Sequence, residues 1–139
     1  MLRCINKAIP FPIIFQLYYD NRIQTIAIYK RANEAASVKW VIDGYFASNW
    51  QSVEAERQAL PVALDLSGLY EQMLRQLLPL SARANEPLKT QVARLAEYRS
   101  KQSEYQKLQA RLNKEKQFNR KVELNAQLRQ LKHDLESLK

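Results

Sequence analysis

From Pro87 to Lys139 the chain runs for 53 residues with no glycine and no proline after its first position. Both glycines, Gly44 and Gly68, and all five prolines lie at or before Pro87. Leu, Lys, Gln, Glu and Arg dominate the remaining stretch, and these are strong helix formers, so helix is predicted over 87–139. Pro87 suits the first helical position, with Asn85 as a cap. Drawn as one helix, the segment would reach roughly 80 Å at about 1.5 Å per residue.

The apolar spacing within that segment is specific. Leu88, Val92 and Leu95 step by four and three, and Tyr105, Leu108 and Leu112 by three and four. Leu124, Leu128, Leu131, Leu135 and Leu138 then alternate four, three, four, three, the heptad repeat of a coiled coil. The two later stretches are out of phase: with Leu112 at an a position, Leu124 falls at f. Something must change between Asn113 and Glu123. Either the chain folds back there as a helical hairpin, or the helix continues with a break in its repeat. Propensity and the missing breakers favour the continuous helix, while Asn113 and Asn119 permit the hairpin. An exposed seam of this kind needs a partner. Self-association or a partner helix is therefore expected through Leu124, Leu128, Leu131, Leu135 and Leu138.

Residues 1–86 have a different composition. They hold ten of the thirteen aromatics and nearly balanced charge, with nine Lys/Arg against eight Asp/Glu. Residues 87–139 hold thirteen against six, so almost all of the net +8 belongs to the helical part. The sequence thus divides into a small α+β domain over 1–79, a linker over 80–86 and a basic coiled-coil segment over 87–139.

In the first part, Leu2–Ile9 is a short helix ended by Pro10. Pro12–Tyr19 reads as a strand apolar on both faces, expected to be covered on both. Asp20-Asn21 is a two-residue hairpin turn leading into the strand Arg22–Arg31. Ala32–Ala36 is a small-residue loop. Val38–Asp43 is a third strand, Gly44 marks a bulge or turn, and Tyr45–Trp50 is a short fourth strand. Gln51–Ala59 is expected to be surface loop. Asp65 or Ser67 caps a helix that Pro79 stops. Its stripe is Leu66, Leu69, Tyr70, Met73, Leu74, Leu77 and Leu78, fit to cover one sheet face. The fold class is therefore α+β: a small antiparallel meander with a packed amphipathic helix, then a long helical tail. The abrupt start suggests that part of the domain precedes Met1.

Few catalytic sites are compatible with this composition. Two isolated glycines cannot make a phosphate loop or a dinucleotide fingerprint. One Cys and one His cannot make a zinc finger or an internal disulfide. Cys4 lies on an apolar helix face, which predicts a buried, inert thiol, and His133 reads as an exposed spacer. The Trp and Tyr residues of the strands read as core rather than a stacking platform. No cofactor or metal is expected. Ala8–Tyr19 is the most apolar run, but Pro10, Pro12 and Gln16 interrupt it and it falls short of the roughly 20 residues a membrane span needs. With one thiol and no targeting segment, a cytoplasmic setting is expected.

The densest charge lies in the middle of the helical part. Lys107, Lys114 and Lys121 repeat every seven residues, and Arg111 lies one turn from Lys107. Such a row can track phosphates. Lys116, Phe118, Asn119 and Arg120 complete the candidate contact set for DNA or a protein partner. The competing reading is a solvated flank in which Glu97–Lys101, Arg111–Glu115 and Lys132–Glu136 form ordinary i, i+4 pairs. A metal-dependent nuclease would need an acid on one strand and an acid-x-Lys pair on the next. Asp20 and Lys30 are the nearest candidates, but Ile28 stands where the second acid is needed. Asp43 reads as a turn former. That enzyme survives only as a fragment whose remaining site residues lie upstream of Met1.

Four runs together resemble a bacterial family of unknown function. They are Lys7-Ala8-Ile9-Pro10-Phe11-Pro12-Ile13-Ile14-Phe15, Tyr29-Lys30-Arg31, Leu60 through Gln72, and Lys114 through Asn125. The resemblance covers almost the whole chain, and the last run is its most specific. It implies a place beside helicase and methyltransferase subunits of the type III restriction–modification kind, in phage defence or DNA modification. It implies no catalytic residues.

Overall fold

A computed structural model of the chain describes residues 2–33 and 36–139, and for 31–33, 36–40 and 43 the backbone alone. The chain divides into two compact units, residues 1–78 and 79–139. The architecture is α+β, as expected: an antiparallel sheet followed by long C-terminal helices. Among the described residues, no helix is long and apolar enough to cross a membrane.

The first unit opens with α1 (Leu2–Ala8), followed by β1 (Ile14–Tyr19), β2 (Arg22–Asn33), β3 (Ala36–Ala47) and β4 (Gln51–Ser52). β2 lies at the centre, with β1 on one edge and β3 on the other, and β4 also pairs with β2, at Arg22 and Ile23. The β1–β2 turn uses Asp20 and Asn21 at φ 47° and 55°. Positive φ at both central residues suits the right-handed twist of a tight hairpin, and Asp and Asn tolerate it better than most residues. In the β2–β3 ladder Tyr29 faces Gly44 but Lys30 faces Ile42, which leaves Asp43 as the extra residue of a bulge. Gly44 beside it admits the Phe46 ring, since a Cβ there would lie 3.0 Å from Phe46 Cζ.

Several expectations change. The strand that opens at Ala36 runs through Gly44 to Ala47, so Tyr45–Ala47 continues β3 rather than forming a separate strand. Gln51 and Ser52 form β4 where loop was expected. Ala32 and Asn33 extend β2, Ala36 opens β3, and Glu34 and Ala35 lie outside the described residues. β1 has no fully buried residue, and Gln16, Tyr18 and Tyr19 are exposed, because it is an edge strand without a second cover. Phe46 is core, whereas Tyr18, Tyr19 and Trp50 face outward. Cys4 is exposed, not buried. The inward position of α1 is Asn6, whose amide donates to the Leu2 carbonyl at 2.8 Å.

α2 (Leu66–Gln76) starts where Asp65 accepts a hydrogen bond from the Gly68 N–H at 2.7 Å. Leu74 and Leu78 are buried in the core with Ile26, Ala27, Ile28 and Phe46, whereas Leu66 stays exposed and leaves the apolar stripe one residue shorter than its spacing suggests. Burying a side chain such as Leu74 stabilises by roughly 1.5–3 kcal/mol. Tyr70 adds a polar tie. Its hydroxyl accepts from the Ile28 N–H at 3.1 Å and lies 2.7 Å from the Ile28 carbonyl and 3.3 Å from that of Ile13. The β1–β2 ladder stops at Ile14–Ala27, so the hydroxyl stands where the next rung would be.

The second unit is a helical hairpin. α3 (Leu88–Lys114) packs against α4 (Phe118–Ser137). The favoured continuous helix is therefore overturned. Glu115 and Gln117 take extended backbone angles, φ −71°, ψ 136° and φ −80°, ψ 125°. Any residue adopts these, so the chain reverses without glycine or proline. The Glu115 carboxylate accepts from the N–H groups of Lys116 and Gln117 at 2.8 and 2.9 Å, which replaces the expected ion pair with Arg111. Those bonds hold its pKa below the usual carboxylate range. α3 begins after Pro87, and Asn85 precedes it at φ 55° with no side-chain bond to the helix.

The hairpin accounts for the phase break. The two out-of-phase apolar stretches belong to different helices, and each turns its own stripe to the other. Leu95 is 2 % exposed and Leu128 6 %, with Val92 and Leu108 also buried. Leu124, Leu131, Leu135 and Leu138 are half-buried.

Candidate functional site

The hairpin's two ends differ in how their charges are used. At the base, Arg94 is a buried hub. Its guanidinium meets both Glu86 carboxylate oxygens, at 2.9 and 2.8 Å, and donates to the carbonyls of Ser81 at 2.7 Å and Leu138 at 2.6 Å. The Arg94 and Glu86 side chains are 5 % and 6 % exposed. A two-pronged pair of this kind fixes geometry as well as charge. The Arg94 bonds, with a further bond from the Arg83 N–H, hold the Glu86 carboxyl at about 2. The Arg83 guanidinium donates to the Ser137 carbonyl. Gln91 donates to the Leu80 carbonyl at 2.8 Å, which ties the segment before α3 to the helix.

One step further along, Lys101 reaches across to Asp134 at 2.7 Å and lies 3.9 Å from Glu97. The expected Glu97–Lys101 pair is therefore present, while Lys132–Glu136 is not among the ion pairs of the described residues. The hydrogen bond to Asp134 raises the Lys101 pKa, and the same bond, with one from Gln130, lowers that of Asp134. Antiparallel helices joined by a short turn bring residues so distant in sequence face to face.

The tip is the opposite. Lys107, Arg111 and Lys114 occupy the last turns of α3, Lys116 the connection, and Arg120 and Lys121 the first turn of α4. Measured along α3, they lie within about 10 Å of its end, at ~1.5 Å per residue. All six are exposed. Among the described residues, none of the six makes an ion pair. The nearby acids are Glu104, one turn before Lys107, Glu115, engaged with backbone N–H groups, and Glu123. Phe118 and Val122, one turn apart on α4, are 77 % and 53 % exposed, and Asn119 is exposed beside them. The reversal thus gathers every candidate contact residue at one end of one unit. Sequence spacing aligned only Lys107, Arg111, Lys114 and Lys121, on the assumption of a single helix. Val122 was missed, because its exposure is fixed only once the stripe of α4 is set by Leu124 and Leu128.

The strand candidates do not come together. Asp20 lies in the β1–β2 turn and pairs with Arg22 at 3.4 Å. Lys30 lies ten residues on, near the other end of β2, about 30 Å away at ~3.3 Å per residue. Its ammonium is taken up by three carbonyls, of Asn6 at 3.2 Å and of Ile9 and Phe11 at 2.9 Å. There it secures the C-terminal end of α1, and burial pulls its pKa down. Among the described residues, no group of three or more His, Cys, Asp or Glu could hold a metal ion. His133 is exposed.

Together, the fold and these charges define an α+β chain whose second unit is a helical hairpin with ion pairs near its base and, among the described residues, none at its basic tip. Comparison with known families places it further. The chain belongs to the family described as Domain of unknown function (DUF4391), whose profile matches residues 1–135, through both units and nearly to the end of α4. No curated protein and no solved structure matches the chain.

Proposed function

We propose that the chain is a non-enzymatic accessory protein whose hairpin contacts nucleic acid through its basic tip. One observation carries this reading: Arg83, Arg94 and Lys101 near the hairpin's base are used in ion pairs or in bonds to chain carbonyls, while among the described residues the six cations clustered at the tip make no ion pair. Exposed cations spaced by one and two helical turns suit a row of phosphates, and neutralising each phosphate releases counterions. The setting is the one the family resemblance implies, DNA modification or phage defence beside helicase and methyltransferase subunits.

The test is binding to a short DNA duplex across a salt series. With four to six phosphates engaged, the logarithm of the affinity falls against the logarithm of salt with a slope of about −4 to −5. Replacing Lys107, Arg111 and Lys114 together with Gln reduces that slope by about 2 to 3. Absence of binding at low salt to the duplex and to a single strand alike, or binding indifferent to salt, refutes the proposal.

A second reading, docking to a protein, has its own support. Leu124, Leu131, Leu135 and Leu138 are only half-buried by α3, so one side of the stripe is open to a partner helix or a second copy. Sedimentation analysis distinguishes the two: a monomer at every concentration, with no complex on adding a helicase or methyltransferase subunit, ends it.

A further inference from the structure

The tip carries more than charge. Phe118 and Val122 form an exposed apolar pair on the first turns of α4, with Arg120 and Lys121 on the same turns. Phosphates alone give no reason for an outward-facing phenyl ring, and exposed apolar surface of this kind marks contact sites. Gln117 and Asn119, the chain neighbours of Phe118, and Asn125, about two turns further along α4, are exposed carboxamides of the same stretch. Carboxamides hydrogen-bond base edges but are costly to bury in lipid hydrocarbon, so the composition favours nucleic acid over an anionic membrane. Two helices side by side are only about 20 Å wide, at ~10 Å each. A tip that narrow offers little surface for a bent duplex to wrap, which is what repays the cost of wedging a side chain between stacked pairs.

We infer that the tip binds unpaired bases, in a single strand or at a duplex–single-strand junction. Phe118 stacks on a base face, and the surrounding cations hold the backbone. The inference rests on the nucleic-acid reading above and names its substrate class. An unpaired base has a free π-face, which an intact duplex offers only at its ends.

The experiment compares binding of the full chain to oligothymidylate, a blunt duplex of the same length and a forked duplex, by fluorescence anisotropy across salt. The expected result is preference for the single strand and the fork. Phe118→Leu keeps the residue apolar but removes stacking, and it weakens single-strand binding by roughly 5- to 150-fold, whereas Phe118→Tyr retains it. The salt slope on single strand, at most about −4 for six phosphates, keeps its value in Phe118→Leu because it counts charges. Equal binding to all three substrates, with Phe118→Leu without effect, overturns the inference and leaves the phosphate reading standing. Salt-sensitive binding to none of them overturns both. Binding only to phosphatidylserine-containing vesicles also overturns both, and assigns the tip to a membrane surface.

Discussion

The Tyr70 hydroxyl stands in for a missing rung of the sheet, and removing it tests the account of the first unit. In Tyr70→Phe the ring and its packing remain. The Ile28 N–H loses its acceptor at 3.1 Å, and the Ile28 carbonyl its donor at 2.7 Å. Ile28 is fully buried, so water does not readily replace the lost partner. Leaving a buried donor unsatisfied costs about 1–3 kcal/mol. With an m-value near 1 kcal/mol/M for so small a unit, the urea midpoint falls by roughly 1–3 M. The readout separates the units. Both tryptophans, Trp40 and Trp50, lie in residues 1–78, so their fluorescence reports that unit alone. Far-UV circular dichroism is dominated by α3 and α4, with 27 and 20 residues against 7 and 11 in α1 and α2. The fluorescence midpoint is expected to fall and the dichroism of the hairpin to hold. Tyr45→Phe is the matched control. Its hydroxyl is buried with no partner among the described residues, so its removal leaves the midpoint unchanged or higher. An unshifted midpoint in Tyr70→Phe, or an equal fall in Tyr45→Phe, refutes the reasoning.

Other outcomes rest on the same structure. Leu128→Ala removes a buried contact of the hairpin and costs about 2–5 kcal/mol, seen as an earlier loss of helical dichroism with little change in tryptophan fluorescence. The Glu86 pKa is depressed in the folded chain, so its contribution to stability is present above about 4.5 and is lost as pH falls toward about 2. Glu86→Gln flattens that acid limb in a pH series of denaturation midpoints; an unchanged limb places the acid sensitivity elsewhere. Lys30→Met frees the carbonyls at the end of α1, so amide exchange in Leu2–Ala8 accelerates while that of β2 does not. Protection of α1 equal to that of the unsubstituted chain ends this account of Lys30.

Local chemistry made parts of the fold legible in the sequence. Asp20-Asn21, Asp65 and Pro10 act through their own backbone preferences, and each stands where those preferences place it. Leu124 and its heptad partners also revealed a real discontinuity after Leu112. What the sequence hid depends on tertiary partners. The reversal at Glu115 uses ordinary extended angles, so no glycine or proline advertises it. Cys4 is exposed and Asn6 buried, against the burial expected of Cys4, because seven residues of helix carry too little pattern to define a face. Tyr70 looked like one more apolar stripe residue, and only the early end of β1 gives its hydroxyl a task. For the tip, the residue types were evident but their assembly was not. Cations spread over fifteen positions become one cluster only when the chain folds back between them.

The three-residue connection from Glu115 to Gln117 has a consequence for reach. It depends on one carboxylate and two extended residues, and among the described residues the tip cations make no ion pair. Reach and recognition can therefore be altered separately. Adding seven residues to each arm keeps both leucine stripes in phase, and carries the same tip about 10 Å further from the hairpin's own base. Rewriting the tip leaves the base untouched. The hairpin is in effect a ruler with an interchangeable end.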